Sequence, residues 1–200
     1  MLFINVDGCN GSGKTTITTK LTKCLQDIGL RVKCVHFHRR GTLIGDTIQH
    51  ILNKDVKLDL ESMQMLYAVD QLDFVNSVYP DLAESYDVLI TDRYYTSLLA
   101  IGSAMGLELE RLKTFIPLLK NPQIHFILTT ETEELLKRVS TQEYVPGQTD
   151  DIFESKNNLL KIKDSYAKLK NIIPNVVEID TTVSTSSAVT QILAYISKLI

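Results

Sequence analysis

The chain has 200 residues, of which 44% are hydrophobic and 22% are charged. This balance is typical of a globular domain, and it excludes a disordered chain, a collagen-like fibre and a low-complexity linker. The net charge of −3 argues against nucleic acid as a partner, and no apolar run approaches the roughly 18 residues of a membrane helix. Three cysteines without zinc spacing suit a reducing compartment. We therefore expect one cytoplasmic domain over residues 1–200 that does not bind membranes.

Short apolar runs alternate with longer amphipathic runs along the chain. The apolar runs predict five strands, at residues 2–6, 31–37, 88–91, 123–128 and 176–179. The amphipathic runs predict helices at residues 15–26, 58–86 with an interruption near Pro80, 96–105, 108–119, 132–140, 154–170 and 188–199. Largely apolar strands that alternate with helices are typical of a parallel sheet covered on both faces. The sequence therefore predicts an α/β three-layer sandwich with a five-stranded parallel sheet.

A phosphate-loop motif, G-x-x-x-x-G-K-[ST], joins the first predicted strand to the first predicted helix. Its residues are Gly8, Cys9, Asn10, Gly11, Ser12, Gly13, Lys14 and Thr15, followed by Thr16. The glycines let backbone amides point at a phosphate, and the helix N-terminus adds unpaired N–H groups. The Lys14 ammonium can reach the β- and γ-phosphates, and the Thr15 hydroxyl can ligate Mg²⁺. The motif predicts an ATP and Mg²⁺ site, the alternative being a glycine-rich turn with an incidental lysine.

Asp92 and Arg93 follow the strand predicted at residues 88–91. The carboxyl end of a buried strand is where ligands bind in open α/β sheets, so Asp92 can hold the Mg²⁺ shell and act in catalysis. Arg93 is suited to bidentate contact with a phosphate. The alternative interpretation is that Asp92 caps a helix and that Arg93 is a surface arginine. No N-K-x-D motif follows, which weighs against a GTP switch.

Taken together, six segments resemble the thymidylate kinase family of nucleoside monophosphate kinases. They occupy residues 4–16, 41–46, 66–70, 91–97, 151–154 together with Tyr166, and 178–180. The resemblance implies a P-loop NTPase fold with a short lid at about residues 141–153, and a homodimer. It also implies that the γ-phosphoryl group of ATP·Mg²⁺ is transferred to dTMP or a related or modified pyrimidine nucleotide, which gives the diphosphate.

The resemblance also assigns roles to single residues. Lys14 would neutralise charge on the donor, and Arg93 would hold the acceptor phosphate. Asp7 and Asn10 would lie near the acceptor sugar and phosphate. Tyr67 would stack on the acceptor base, the alternative being an aromatic residue of the helix core.

Two departures from the family pattern affect the acceptor side. Gln71 stands where an arginine usually follows the aspartate of the base-binding helix, so an amide that both donates and accepts replaces a donor. The family's T-R-E-P segment is replaced by residues 36–40, so Arg39 or Arg40 is expected to take over a phosphate contact. The alternative for these two arginines is a solvated basic pair. These changes predict that the side chains around the acceptor base differ from those of the family pattern.

A third departure concerns catalysis. Family members carry a transfer-stabilising arginine in the phosphate loop or in the lid, but Gly11 occupies the loop position and residues 141–151 contain no arginine. Arg138 is our first candidate for a substitute, the alternative being the last-turn cation of a helix. An arginine that stabilises the transferred phosphoryl group raises the rate by as much as 10³- to 10⁵-fold. Without a substitute for it, we expect slow turnover.

Two other functions remain open on the sequence. A deoxynucleoside kinase would need a carboxylate base near the 5′-hydroxyl, and Asp7 could serve. A catalytically weak nucleotide-binding relative that regulates or assembles with a partner is favoured by the missing arginine. The complete set Lys14, Thr15, Asp92 and Arg93 argues against that second possibility.

Overall fold

A single parallel sheet of five strands organises the protein. The computed structural model describes residues 1–53, 55, 57–141 and 155–200, so the predicted lid lies almost wholly outside the described residues. The strands are β1 Leu2–Gly8, β2 Val32–His36, β3 Val88–Asp92, β4 Ile124–Thr129 and β5 Val176–Asp180. They are ordered β2-β3-β1-β4-β5, and every neighbouring pair is parallel. The prediction of a five-stranded parallel sheet is confirmed.

Helices cover both faces of the sheet. Those described are α1 Lys14–Asp27, α2 Leu43–Leu52, α3 Leu60–Ser77, α4 Tyr79–Ser85, α5 Tyr95–Ala104, α6 Leu109–Lys113, α7 Thr132–Thr141, α8 Lys156–Lys168 and α9 Thr185–Ile196. Within the described ranges, no helix is both long enough and apolar enough to cross a bilayer.

The sequence did not predict α2, and it predicted the helix at residues 108–119 as too long. The N-terminus of α2 is capped by Thr42, whose hydroxyl accepts the Gly45 N–H at 3.1 Å. Residues 108–119 form only α6 and a 3-10 turn, because Pro117 lacks the N–H that a continuing helix needs. The interruption predicted near Pro80 lies at Val78, and the proline occupies the first turn of α4.

The side chains on the two faces of β1 pack into different apolar clusters. Ile4 and Val6 point into an apolar cluster beneath α1 and α9. Phe3 belongs to the opposite cluster, which α3, α5 and α8 cover. Because side chains alternate along a strand, Asn5 and Asp7 share the face of Phe3 and lie buried beside α5.

A chain of buried polar groups links β4 to the end of β1. The Tyr95 hydroxyl lies 2.8 Å from Nε2 of His125, and Nδ1 of the same ring lies 3.2 Å from Nδ2 of Asn5. Asn5 Nδ2 also donates to Thr96 Oγ1 at 2.7 Å, and that hydroxyl donates to Asp7 Oδ2 at 2.5 Å. Burial lowers the pKa of His125 to about 4. The ring is therefore neutral at pH 7, which lets Nδ1 accept from Asn5 while Nε2 donates to Tyr95.

We expect His125 to remove about 2 kcal/mol from the free energy of unfolding when the pH falls from 7 to 5. Its pKa is about 4 in the folded chain against an ordinary value of 6.5. The unfolded state therefore binds more protons below pH 6.5, and stability is lost from there down to the folded pKa. Urea unfolding at both pH values, on the wild type and on His125→Gln, measures this contribution. Equal losses in the two proteins would contradict the prediction.

Candidate active site

A cleft of about 560 Å³ opens at the carboxyl ends of β1, β2 and β3. The phosphate loop and the start of α1 form one wall, and side chains of α3 and α5 form the other. The cleft is also lined by Asp92, the last residue of β3, and by Arg93, which follows it. This is the edge at which open parallel sheets bind ligands.

The phosphate loop is held in a shape that suits anion binding. Gly8 has a φ of 145°, and a Cβ there would lie 2.7 Å from the Leu128 carbonyl oxygen, so only glycine fits. Thr181 Oγ1 donates to the Ser12 carbonyl at 2.9 Å and ties the loop to the chain after β5. Lys14 Nζ donates to the Gly8 carbonyl at 3.0 Å and crosses the loop. Burial lowers the pKa of Lys14 to about 8, so an anion in the loop would favour its charged form.

Thr15 and Asp92 meet at the donor end of the cleft. Thr15 Oγ1 donates to Asp92 Oδ2 at 3.0 Å, and His36 Nδ1 lies 3.2 Å from the same oxygen. The other oxygen, Oδ1, is buried and has no hydrogen-bond partner among the described residues. Burial opposes ionisation of Asp92, but the His36 hydrogen bond and the Lys14 charge hold its pKa below the usual range. A carboxylate oxygen with unused lone pairs beside a threonine hydroxyl is a donor set that fits Mg²⁺.

Arg93 is held in an unusual backbone conformation. Its φ of 70° lies in the left-handed region, which costs roughly 1–2 kcal/mol for a residue with a Cβ. Its N–H donates to the Val6 carbonyl at 3.0 Å. Its guanidinium donates to Asn10 Oδ1, and to Ser97 Oγ at 3.4 Å. Strain of this kind concentrates at functional sites, and here it directs the guanidinium into the cleft beside the phosphate loop.

Three residues of α3 line the cleft, on the side where the sequence places the acceptor. Gln64, Tyr67 and Gln71 are spaced by three and four residues, so they lie on one face of the helix. Both glutamines are 2% exposed. Gln71 Oε1 is buried and has no hydrogen-bond partner in the described part of the chain. Gln64 is not among the residues predicted from the sequence, although its helical spacing from Tyr67 and Gln71 could have identified it.

Comparison with known proteins agrees with this geometry. The family model for thymidylate kinase matches residues 6–192. A probable thymidylate kinase of Methanocaldococcus jannaschii is 31% identical over 181 residues, which cover 90% of this chain and 87% of that protein. The chain belongs to the thymidylate kinase family. It is therefore a nucleotide kinase, and the family's reaction is the ATP-dependent phosphorylation of dTMP to dTDP.

More distant members of the family agree in length and in fold. A probable thymidylate kinase of Thermococcus kodakarensis is 28% identical over 207 residues, which cover 100% of this chain and 98% of that protein. A solved thymidylate kinase structure from Candida albicans superposes with a TM-score of 0.79 at 22% identity, covering 98% of this chain and 91% of that one. This likeness supports the P-loop fold that the sequence resemblance implied.

Arg39 and Arg40 occupy different places in this thymidylate kinase family member. Arg40 lines the cleft, and its contact with a phosphate stays a prediction. Arg39 does not line it. Its Nε donates to Asp70 Oδ1 at 2.8 Å and its Nη2 donates to Asp73 Oδ2 at 2.6 Å. The Arg39 N–H adds a bond to Asp70 at 3.0 Å, so this arginine fastens the chain after β2 to α3.

Asp7 lies behind the phosphate loop and does not line the cleft. Its carboxylate accepts the Gly8 N–H at 2.8 Å and the Tyr166 hydroxyl at 2.7 Å. It also accepts the hydroxyls of Thr96 at 2.5 Å and Ser97 at 2.7 Å. These four donors come from the loop, α5 and α8, and they occupy both oxygens of the carboxylate. Asp7 is therefore positioned to hold the loop, whereas a contact with the acceptor sugar would require it to give up these bonds.

Arg138 projects from α7 towards the chain after β5. Its Nε donates to Glu134 Oε1 at 2.8 Å, and its Nη2 donates to the carbonyls of Thr181 at 2.8 Å and Thr182 at 3.1 Å. It is not among the described residues that line the cleft. The hypothesis that Arg138 stabilises the transferred phosphoryl group stays a prediction, and it requires the guanidinium to leave all three acceptors. The arginine-free segment of the lid lies outside the described residues, apart from Thr141.

The two carboxylates that bind Arg39 should contribute very differently to stability. We expect Asp70→Asn to lower the free energy of unfolding by about 3 kcal/mol, because Asp70 is fully buried and the substitution leaves the nearly buried Arg39 guanidinium with only the partly exposed Asp73 as a charge partner. Asp73→Asn should cost less than about 1 kcal/mol, because the Asp73 side chain is 42% exposed. Urea unfolding of both variants measures the difference. Equal losses would show that burial does not determine how much each carboxylate contributes to the free energy of unfolding.

Proposed function

We propose that this chain transfers the γ-phosphoryl group of ATP to the 5′-phosphate of a pyrimidine deoxynucleoside monophosphate, with dTMP as the first candidate. One observation carries the proposal. The donor groups Lys14 and Thr15 and the acceptor-side groups Arg93 and Tyr67 line one continuous cleft. A donor and an acceptor bound at its two ends would meet between the phosphate loop and Arg93, which supplies the proximity that phosphoryl transfer needs.

The donor end would bind ATP through the phosphate loop, residues 8–16. Lys14 Nζ, which bonds two carbonyl oxygens of the loop, would exchange them for the β- and γ-phosphate oxygens. The amides of the loop and the N-terminus of α1 would bind the remaining oxygens. This arrangement neutralises charge that grows on the donor during transfer.

Thr15 and Asp92 are the residues that would hold Mg²⁺. Asp92 Oδ1, which has no hydrogen-bond partner among the described residues, and the hydroxyl of Thr15 would supply the oxygen ligands, directly or through water. The bound ion supplies positive charge that neutralises the phosphates and fixes their orientation. His36 keeps Asp92 in its charged form and so supports the site.

The acceptor end would bind the monophosphate through Arg93, with Arg40 as a second cation. Asn10 accepts from the Arg93 guanidinium and would orient it towards the acceptor phosphate. Tyr67 offers an aromatic face for the base, and Gln71 lies on the same face of α3. An acceptor phosphate oxygen needs no base to attack the γ-phosphorus, whereas a nucleoside hydroxyl does. The bonds that occupy Asp7 therefore weigh against the deoxynucleoside kinase alternative.

A catalytically weak nucleotide-binding relative is the second candidate. It is favoured by the bonds that occupy Arg138, the first substitute for the missing arginine. The Asp92 Oδ1 atom, unpaired within the described part of the chain, and the strained, cleft-facing Arg93 favour catalysis instead. We therefore retain the expectation of slow turnover by a working kinase.

A panel of acceptors tests this function. With ATP and Mg²⁺ we expect turnover of dTMP and none of thymidine. Arg93→Ala should lower kcat/KM for dTMP by about 10- to 100-fold, because it removes a charged hydrogen bond to the acceptor phosphate. Arg31→Ala is the matched control, since Arg31 forms an exposed surface ion pair with Asp87 and should change nothing. Turnover of thymidine alone would contradict the role of Arg93, and ATP binding without turnover of any acceptor would favour the second candidate.

We also propose that the protein is a cytoplasmic homodimer. The outer surface of α3 supports a dimer contact, because Met65 and Val69 on that helix are 37% and 45% exposed. Light scattering is expected to give twice the mass of one chain, and Met65→Glu should reduce it to that of one chain. Val183→Glu, at a residue that is 92% exposed elsewhere, should leave the mass unchanged. A single-chain mass for the wild type would contradict the dimer.

A further inference from the structure

The amide of Gln71 is placed to read the acceptor base, and this inference rests on the function proposed above. Gln71 is 2% exposed and lines the cleft one helical turn from Tyr67. Its Oε1 is buried and accepts no hydrogen bond from the described residues. A buried amide oxygen without a donor is unfavourable, so a ligand that brings an N–H to this position gains a hydrogen bond that the protein does not provide.

The side chains that α3 presents to the cleft carry no formal charge. The cleft-lining side chains of that helix are two glutamines and one tyrosine, Gln64, Tyr67 and Gln71. Buried uncharged donors and acceptors recognise the edge of a neutral base at lower desolvation cost than an ionised group would. This part of the cleft therefore suits the polar edge of a pyrimidine stacked on Tyr67.

An amide has a donor side and an acceptor side, and rotation by 180° exchanges them. A protein donor to Gln71 Oε1 would fix one orientation, but the described residues provide none. The amide can therefore present NH₂ to a ring carbonyl or oxygen to a ring amino group. A side chain that only donates would leave two donors facing each other on a 4-amino base.

We propose that the acceptor site takes 4-aminopyrimidine deoxynucleoside monophosphates as well as 4-oxo ones, and that Gln71 is the residue that permits both. The reaction itself is the same for both bases. An oxygen of the acceptor 5′-phosphate forms a bond to the γ-phosphorus of ATP while the bond from that phosphorus to the ADP oxygen breaks. Gln71 reads the base and takes no part in the transfer.

The test compares dTMP with dCMP by kcat/KM and, separately, by calorimetric Kd. The wild type should accept the two nucleotides within about tenfold of each other. Gln71→Arg, which only donates, should shift the ratio at least tenfold towards dTMP. Gln71→Glu, which accepts when ionised, should shift it at least tenfold towards dCMP. Shifts in opposite directions are a result that a merely structural role of Gln71 would not produce.

Gln191→Arg and Gln191→Glu are matched controls, because Gln191 is exposed on α9 and should leave the ratio unchanged. A wild-type preference for dTMP far above tenfold would overturn the inference while leaving the kinase function intact. Ratios that do not respond to either Gln71 variant would overturn it as well. If neither nucleotide is phosphorylated, the proposed function fails, and the ratio of the two Kd values still decides the role of Gln71.

Discussion

The buried carboxylate of Asp7 is the constraint on which the rest of the site depends. It accepts the first N–H of the phosphate loop and three hydroxyls that come from α5 and α8. Burial raises the pKa of Tyr166 far above its usual range, so its hydroxyl stays a donor to this carboxylate. Two helices that cover one face of the sheet are thereby fastened to the residue at which the loop begins. The loop's position thus follows from the packing of the whole domain.

Few arginine and lysine side chains line the cleft, because others are paired with carboxylates or carbonyl groups outside it. Arg39 is neutralised by Asp70 and Asp73, and Arg138 is occupied by Glu134 and two carbonyl groups. Lys14, Arg40 and Arg93 are the arginines and lysines that line the cleft within the described residues. A basic side chain in the sequence is therefore a poor guide to a phosphate contact unless its carboxylate neighbours in space are known.

The sequence predicted the parts of the protein that depend on local pattern. The phosphate loop, the five strands and the meeting of Thr15 with Asp92 follow from a contiguous motif and from the rule that parallel strands end at one edge. It did not predict α2, the different places of Arg39 and Arg40, or the bonds that occupy Asp7 and Arg138. The positions of Arg39, Asp7 and Arg138 depend on partners that include residues more than 30 positions away, such as Asp70 for Arg39 and Thr181 for Arg138, and a single sequence does not reveal such pairs.

The pairing of β1 with β3 has a consequence for how such an enzyme can diversify. Val6 pairs with Asp92 in the sheet, so the start of the phosphate loop and the carboxylate proposed to hold Mg²⁺ are separated by one strand spacing that backbone hydrogen bonds fix. The acceptor base, by contrast, would be faced by three side chains spread over about two turns of α3. Substitutions of these α3 side chains can change which acceptor base is preferred without changing the positions of the phosphate loop and Asp92. The residues proposed for phosphoryl transfer are thus held by paired strands, whereas those proposed to select the base are side chains on one helix that can be substituted independently.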